Sequence, residues 1–286
     1  MNSIELPHDI EADVARALAE DLGDGDVTAA LIDPAAAARA EVRCNEDAVL
    51  CGRAWFDEVF RQIDPAVVVE WRFDDGAEVP AGETVCRLQG RARALLSGER
   101  TALNFLQTLS GTATSARRFA RAVAGTRTRI LDTRKTVPGL RRAQKYAVRC
   151  GGAWNHRHGL YDAFLIKENH VIAAGGITEA VRRAAQQGKG LMIEVEVESL
   201  DELREALATE ADRIMLDDFD LESMREAVRI RDAHAAATGA KPKELEASGS
   251  AGDKDLRAIA ETGVDFISIG AMTKHVRAID FSMRFA

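Results

Sequence analysis

MIEVEVESLDELREALATEADRIMLDDFDLESMREAV, residues 192–228, carries one rhythm twice. A short β-rich run ends in polar residues and a stretch with helical spacing follows, first through Glu196 and then through Asp217. The same unit recurs on both sides. RIL precedes Asp132, AFLI precedes Lys167, ELEA precedes Ser248 and FISI precedes Gly270. Between these runs lie GLRRAQKYAVRC, ITEAVRRAAQQG, LESMREAVRIRDAHAA and DKDLRAIAETG, all helical in pattern. Six β-then-α units predict a parallel sheet covered by helices. A barrel is preferred to an open doubly wound sheet because polar groups stand at the C-terminal end of nearly every strand, the face that carries chemistry in β/α barrels.

The first hundred residues read differently. An acidic opening helix presents Ile10, Val14, Ala17 and Leu18 on one face. AEVRCNEDAVLCG (40–52) and VVVEWRF (67–73) then alternate or run apolar as strands do, and DDGAEVPAGETVCRLQG (74–90) reads as Gly-punctuated hairpins. From Ala92 to about Gly125 the pattern is helical, with a predicted break and a domain boundary at Ser110-Gly111.

At 286 residues, 46% hydrophobic and 29% charged, the chain has the composition of a folded globular protein rather than a disordered one. The start is no signal peptide and no apolar run has membrane-span length, so a cytoplasmic protein is expected. A net charge of -8 argues against general nucleic-acid binding. Cys44, Cys51, Cys86 and Cys150 have neither C-x-x-C nor zinc spacing and read as reduced, buried thiols. LGDGDVTA (22–29) imitates the start of a calcium loop, but position twelve is Ala35, so a turn is expected.

Against this acidic background, residues 127–170 hold ten Lys and Arg and only three Asp and Glu. Arg142 and Arg149 read as solvated or paired helix cations. Arg134, Lys135 and Lys167 directly follow apolar strands, and His156 and Arg157 occupy the loop before one. At a barrel mouth such charges need counter-charges or a ligand. Arginine's planar fork suits carboxylate and phosphate oxygens, and lysine supplies a point charge. Glu194, Glu196 and Glu198 share one face of their strand, an odd use of a buried barrel strand. Glu196 and Asp217 converge in this reading as candidate Mg²⁺ ligands. Ser248-Gly249-Ser250 and Gly270-Ala271-Met272 follow the last two strands, where small residues let backbone N–H groups close on a phosphate. Together these sites ask for a substrate with several carboxylates, a phosphorylated partner and a divalent metal.

GERTALNFLQTLSG (98–111), LDTRKTVPGLR (131–141), NHRHGLYDAFLIKENH (155–170), IEVEVE (193–198), MLDDF (215–219), LEASG (245–249) and ISIGAMTKH (267–275) occur in an order that resembles the quinolinate phosphoribosyltransferases. The resemblance covers nearly the whole chain, EDLGDGDVTAALI (20–32) included. It implies an N-terminal α/β sandwich-like domain (1–112, joined by the tail 275–286) and an incomplete α/β barrel (113–274). It also implies a homodimer in which Arg100 reaches the neighbouring active site, and transfer from phosphoribosyl pyrophosphate to quinolinate with decarboxylation. By resemblance, Arg100, Arg134, His156, Arg157 and Lys167 hold the quinolinate carboxylates. Lys135, Ser248, Gly249, Ser250, Gly270 and His275 bind the phosphates, while Glu196 and Asp217 take Mg²⁺ and the ribose hydroxyls. Lys135, Lys167, Glu196 and Asp217 are the expected catalytic set. Two departures stand out: Ser250 replaces a glycine common in relatives, and Ala153 and Trp154 replace smaller or glycine residues, with Trp154 expected to fill the core rather than pack beside the pyridine. The rivals are a phosphoribosyltransferase for a monocarboxylate, a Schiff-base aldolase using Lys167, and a polyanion- or RNA-binding module.

Overall fold

The computed structural model describes residues 4–249 and 255–286, so Ser250 lies outside the described residues. The chain divides into two compact units, residues 1–118 with 136–152 and 272–286, and residues 119–135 with 153–271. The sequence rhythm assigns 136–152 to the barrel, but this segment packs with the first unit. Its helix turns Ala143, Ala147 and Cys150 into that unit's core, and apolar burial decides the membership.

In the first unit, α1 (Ile10–Leu22) is followed by β1 (Ala37–Cys44), β2 (Ala48–Val49), α2 (Arg53–Ile63), β3 (Val68–Trp71), β4 (Glu78–Val79) and β5 (Thr84–Arg91). The strands pair antiparallel in the order β12-β1-β5-β3, where β12 is the tail strand Phe281–Phe285. β2 and β4 form a separate ribbon. The core gathers Trp55, Phe56, Phe60, Leu88 and Leu103 with Phe281 of the tail. The calcium-like loop is a turn: Asp26 Oδ1 accepts the N–H groups of Thr28 and Ala29 at 3.0 and 2.8 Å, and its other oxygen accepts the Ser97 hydroxyl.

α3 (Ala92–Ala122) does not break at Ser110-Gly111; it runs 31 residues through them. Both residues serve packing. The Ser110 hydroxyl bonds the backbone N–H and C=O of Cys51 at 2.9 and 3.1 Å, and the Arg277 carbonyl leaves no room for a Cβ on Gly111.

The second unit contains β6 (Arg129–Leu131), β7 (Phe164–Ile166), α5 (Glu168–Ala174), α6 (Ile177–Gln186), β8 (Ile193–Val197) and α7 (Leu200–Leu207). It continues through β9 (Arg213–Asp217), α8 (Leu221–Thr238), β10 (Glu244–Ser248), α9 (Leu256–Ala260) and β11 (Phe266–Ser268). α4 (Arg141–Cys150) and α10 (Ala271–Lys274) complete the helices among the described residues. All six predicted strand runs form one parallel sheet, ordered β6-β11-β10-β9-β8-β7. Six strands leave the barrel incomplete between β6 and β7, and residues 153–155 lie along the free edge of β6 through the Leu131–Trp154 bridge.

Candidate active site

The parallel strands place their C-terminal residues together, as the alternation of strand and helix requires. Ser248 stands in register with Asp217, one strand away. Glu196 lies two positions beyond Glu194 on β8, and its carboxylate forms an ion pair with the ammonium of Lys167, the residue that opens α5. Glu198 lies past the strand end, where repulsion from Glu168, followed by desolvation and the charges of Glu202, Asp217 and Glu196, raises its carboxyl above the ordinary value. The mouth on this side is therefore strongly anionic. A hard divalent cation bound by few protein oxygens suits such a donor set, and Glu196 and Asp217 could contribute oxygens to one.

The opposite side is cationic. Arg134 and Arg157 are partly buried, and Arg157 is held below its ordinary value first by burial and then by the charge of Arg134. Two guanidiniums close enough to disfavour each other's charge form a standing site for a carboxylate. Lys135 packs on Gly270, where an added Cβ would lie 2.9 Å from Lys135 Cδ and 3.3 Å from Thr133 Oγ1. Gly249 has φ +102°, and a Cβ there would strike the Asp218 carboxylate. Asp218 itself has φ 56°, so the turns that follow β9 and β10 both use the left-handed region and meet at these two residues.

His156 is a buried side chain of the loop before β7. Its Nδ1 accepts the backbone N–H of Arg157 at 2.7 Å, which puts the ring proton on Nε2. That Nε2 faces Glu194 Oε2 at 2.9 Å and Glu246 Oε2 at 3.6 Å. Nδ1 is thus hydrogen-bonded, while Nε2 lies in close contact with two carboxylates. The strand pattern led to Glu194 but not to Glu246 and Arg213, which complete this layer. Arg213 reaches Glu246 at 3.3 Å and Glu244 at 2.9 Å and lies over the Phe266 ring at 4.0 Å. Burial is the first cause that raises both carboxyls, Glu194 to about 7 and Glu246 to about 8, with the mutual charge adding to Glu246 and Arg213 opposing both. The visible signal was an acid inside each of the runs MIEVEV and ELEA, with an arginine opening RIML.

Trp154 does not fill the core. It is 42% exposed and carries the Arg129 guanidinium over its ring at 4.5 Å. Ala153 beside it is buried. Arg142 pairs with Asp9 at 3.3 Å, as expected of a helix cation. Arg100 and His275 are exposed residues of the first unit.

Residues 26–110 match the family model for the quinolinate phosphoribosyl transferase N-terminal domain, and residues 112–284 match the C-terminal domain of the same family. The chain belongs to this family. It is 41% identical over 265 residues to a probable nicotinate-nucleotide pyrophosphorylase (carboxylating) of Bacillus subtilis, covering 92% of this chain and 89% of that protein. A tobacco quinolinate phosphoribosyltransferase (decarboxylating) is 37% identical over 298 residues, covering 97% of this chain and 82% of that one. The solved nicotinate-nucleotide pyrophosphorylase of Francisella tularensis superposes with TM-score 0.93 at 45% identity, covering 99% of this chain and 98% of that chain. The architecture, a small antiparallel N-terminal sheet followed by a six-stranded parallel sheet, is the one the resemblance implied.

Proposed function

We propose that the protein is a decarboxylating quinolinate phosphoribosyltransferase of NAD biosynthesis. It joins quinolinate to phosphoribosyl pyrophosphate and releases nicotinate mononucleotide, pyrophosphate and CO₂. The observation that carries this reading is the pairing of opposite charge fields at one ring of strand ends in a chain of this family. Arg134, Arg157 and Lys167 suit two adjacent carboxylates, while Glu196 and Asp217 suit a cation and ribose hydroxyls. A monocarboxylate would not need three such cations, which is the argument against nicotinate.

Lys135 takes the diphosphate end, and Ser248, Gly249 and Gly270 take the 5′-phosphate through backbone donors. Ser250 and His275 are assigned to the same phosphate on resemblance alone. His156 sits beneath the carboxylate site rather than in it. Arg100, exposed on α3, is assigned to a neighbouring copy's site in a homodimer. Among the described residues no helix is long and apolar enough to cross a membrane, and the four cysteines are free and buried, which suits a reducing cytoplasm.

In the proposed reaction the pyridine nitrogen attacks C1 of the ribose as the C1–O bond breaks, and its electron pair leaves on pyrophosphate. The resulting pyridinium accepts the electron pair of the bond to the C2 carboxylate; CO₂ departs and C2 takes a proton. Mg²⁺ held by Glu196 and Asp217 would neutralise charge on the departing pyrophosphate. Lys167 and Glu196 are bonded to each other in this structure, so a substrate carboxylate on the lysine and a cation on the glutamate would each free the partner for the other. Positioning and preorganised charge supply the rate, with no covalent intermediate. Purified protein with phosphoribosyl pyrophosphate and Mg²⁺, followed by mass spectrometry, should yield nicotinate mononucleotide from quinolinate with stoichiometric CO₂ and none from nicotinate. Product from nicotinate alone would overturn the dicarboxylate assignment.

A further inference from the structure

Glu194 on β8 and Glu246 on β10 are fully buried, and the proposed reaction gives neither a substrate atom to touch. As mere core filling they are a poor choice, because apolar residues of similar volume avoid the desolvation of two acids beside one guanidinium. What carboxyls supply and apolar groups cannot is a polar, charge-bearing contact carried on a rigid sheet, and Glu194 Oε2 makes one with His156 Nε2 at 2.9 Å.

We propose that Glu194 and Glu246 are positioning residues for the phosphoribosyl transfer. Acting through His156, they set the 155–157 turn so that Arg157 meets a carboxylate of the pyridine substrate. This rests on the dicarboxylate reading of the mouth.

The His156 ring is a strut between sheet and turn. Its Nε2 end stands on Glu194 at 2.9 Å with Glu246 at 3.6 Å, and its Nδ1 end holds the Arg157 N–H at 2.7 Å. The same turn is gripped by a second acid. The buried Asp132 accepts the His156 N–H at 2.9 Å on one oxygen and the Asn155 amide at 2.6 Å on the other. Arg157 then reaches the Ala163 carbonyl at 3.3 Å, which fixes the direction of its side chain. Arg213 steadies the lower acid, bridging Glu246 and Glu244 while stacked on Phe266. Each residue of the turn that precedes the arginine is thus held by a carboxyl from a strand or a strand end. Removing the strut leaves Arg157 present but misdirected, and displacements of roughly 1 Å at a reacting or gripping group cost on the order of a hundredfold.

The test compares Glu194→Leu, Glu194→Gln, Glu246→Leu and Glu246→Gln with the parent in steady-state kinetics and thermal melting. Leucine keeps the volume and removes the polar contact with the His156 ring, and glutamine keeps an oxygen there. The expected result for Glu194→Leu is a KM for quinolinate raised about tenfold or more, with the KM for phosphoribosyl pyrophosphate within about twofold. Glu246→Leu shifts in the same direction by less, given its longer contact. Each glutamine variant recovers most of the loss. A quinolinate KM unchanged in both leucine variants overturns the proposal, as does an equal rise in both KM values or a glutamine variant no better than leucine. Should the leucine variants not fold, ¹⁵N spectra of the parent imidazoles decide: a His156 ring protonated on Nδ1 breaks the strut, and one protonated on Nε2 supports it. A parent enzyme inactive on quinolinate defeats the functional reading instead, so the two failures are distinguishable.

Discussion

The two sheets of this protein use the same residue types in opposite ways. On the antiparallel sheet, Glu41 of β1 meets Arg87 of β5 at 2.8 Å on a face open to water, with side chains 22% and 53% exposed. In the parallel sheet, Glu194 and Glu246 meet His156 and Arg213 where water does not reach. The first pair could lose either member and be resolvated. In the second, each charge depends on its partners, because low-dielectric surroundings make an unpaired group costly and a paired one directional. An antiparallel sheet can leave one face wet, but a sheet curled on itself with helices outside cannot. Charge placed inside it therefore acts on geometry more than on solubility.

The widest gap between the regions should appear in activity. Arg134→Ala or Lys167→Ala lowers kcat/KM for quinolinate by about a hundredfold or more while melting changes little, since a lost carboxylate grip removes both binding and orientation. Near-normal turnover in either purified variant would break the assignment. Next, Arg213→Met strips Glu246 and Glu244 of their guanidinium and costs about 1–3 kcal/mol in denaturant unfolding. An unchanged unfolding midpoint would show that the interior layer is no more demanding than the surface pair.

Gly249→Ala forces a Cβ toward the Asp218 carboxylate at φ +102°, with an expected loss of about 1–3 kcal/mol in the same measurement. A weakened grip on phosphoribosyl pyrophosphate should accompany it.

The pH dependence sharpens the contrast further. Burial lifts Glu246 from its ordinary 4.5 to about 8, so the fold favours its protonated form. That contribution is complete below pH 4.5 and is lost as pH rises through 8. Unfolding midpoints at pH 5 and pH 8.5 should therefore fall further in the parent than in Glu246→Gln, and parallel curves would contradict the burial argument. The smallest effect belongs to the surface: Glu41→Gln leaves the melting temperature where it was, at any salt concentration.

Much of this was legible beforehand, and the reasons are local. The six strand runs could be read because β-rich stretches bounded by polar residues and separated by helical spacing admit few topologies. Arg134, Lys135 and Lys167 stood out because a cation directly after an apolar strand has to face a mouth. Ser110-Gly111 misled because a small pair mid-helix signals both a break and a close approach, and only the Arg277 carbonyl and Cys51 distinguish them. Trp154 misled likewise, since a large aromatic beside a buried alanine suggests core until Arg129 is seen over its ring.

By itself the sequence determined the parallel barrel, the strand ends that form its mouth and the opposition of cations to carboxylates there, because period, punctuation and charge are properties of neighbours along the chain. The membership of residues 136–152, the inward turn of His156 and its standing on Glu194, Glu246 and Arg213 were decided only by tertiary structure. Those contacts join residues from four separate segments, and no spacing along the chain encodes which buried group a ring nitrogen will meet.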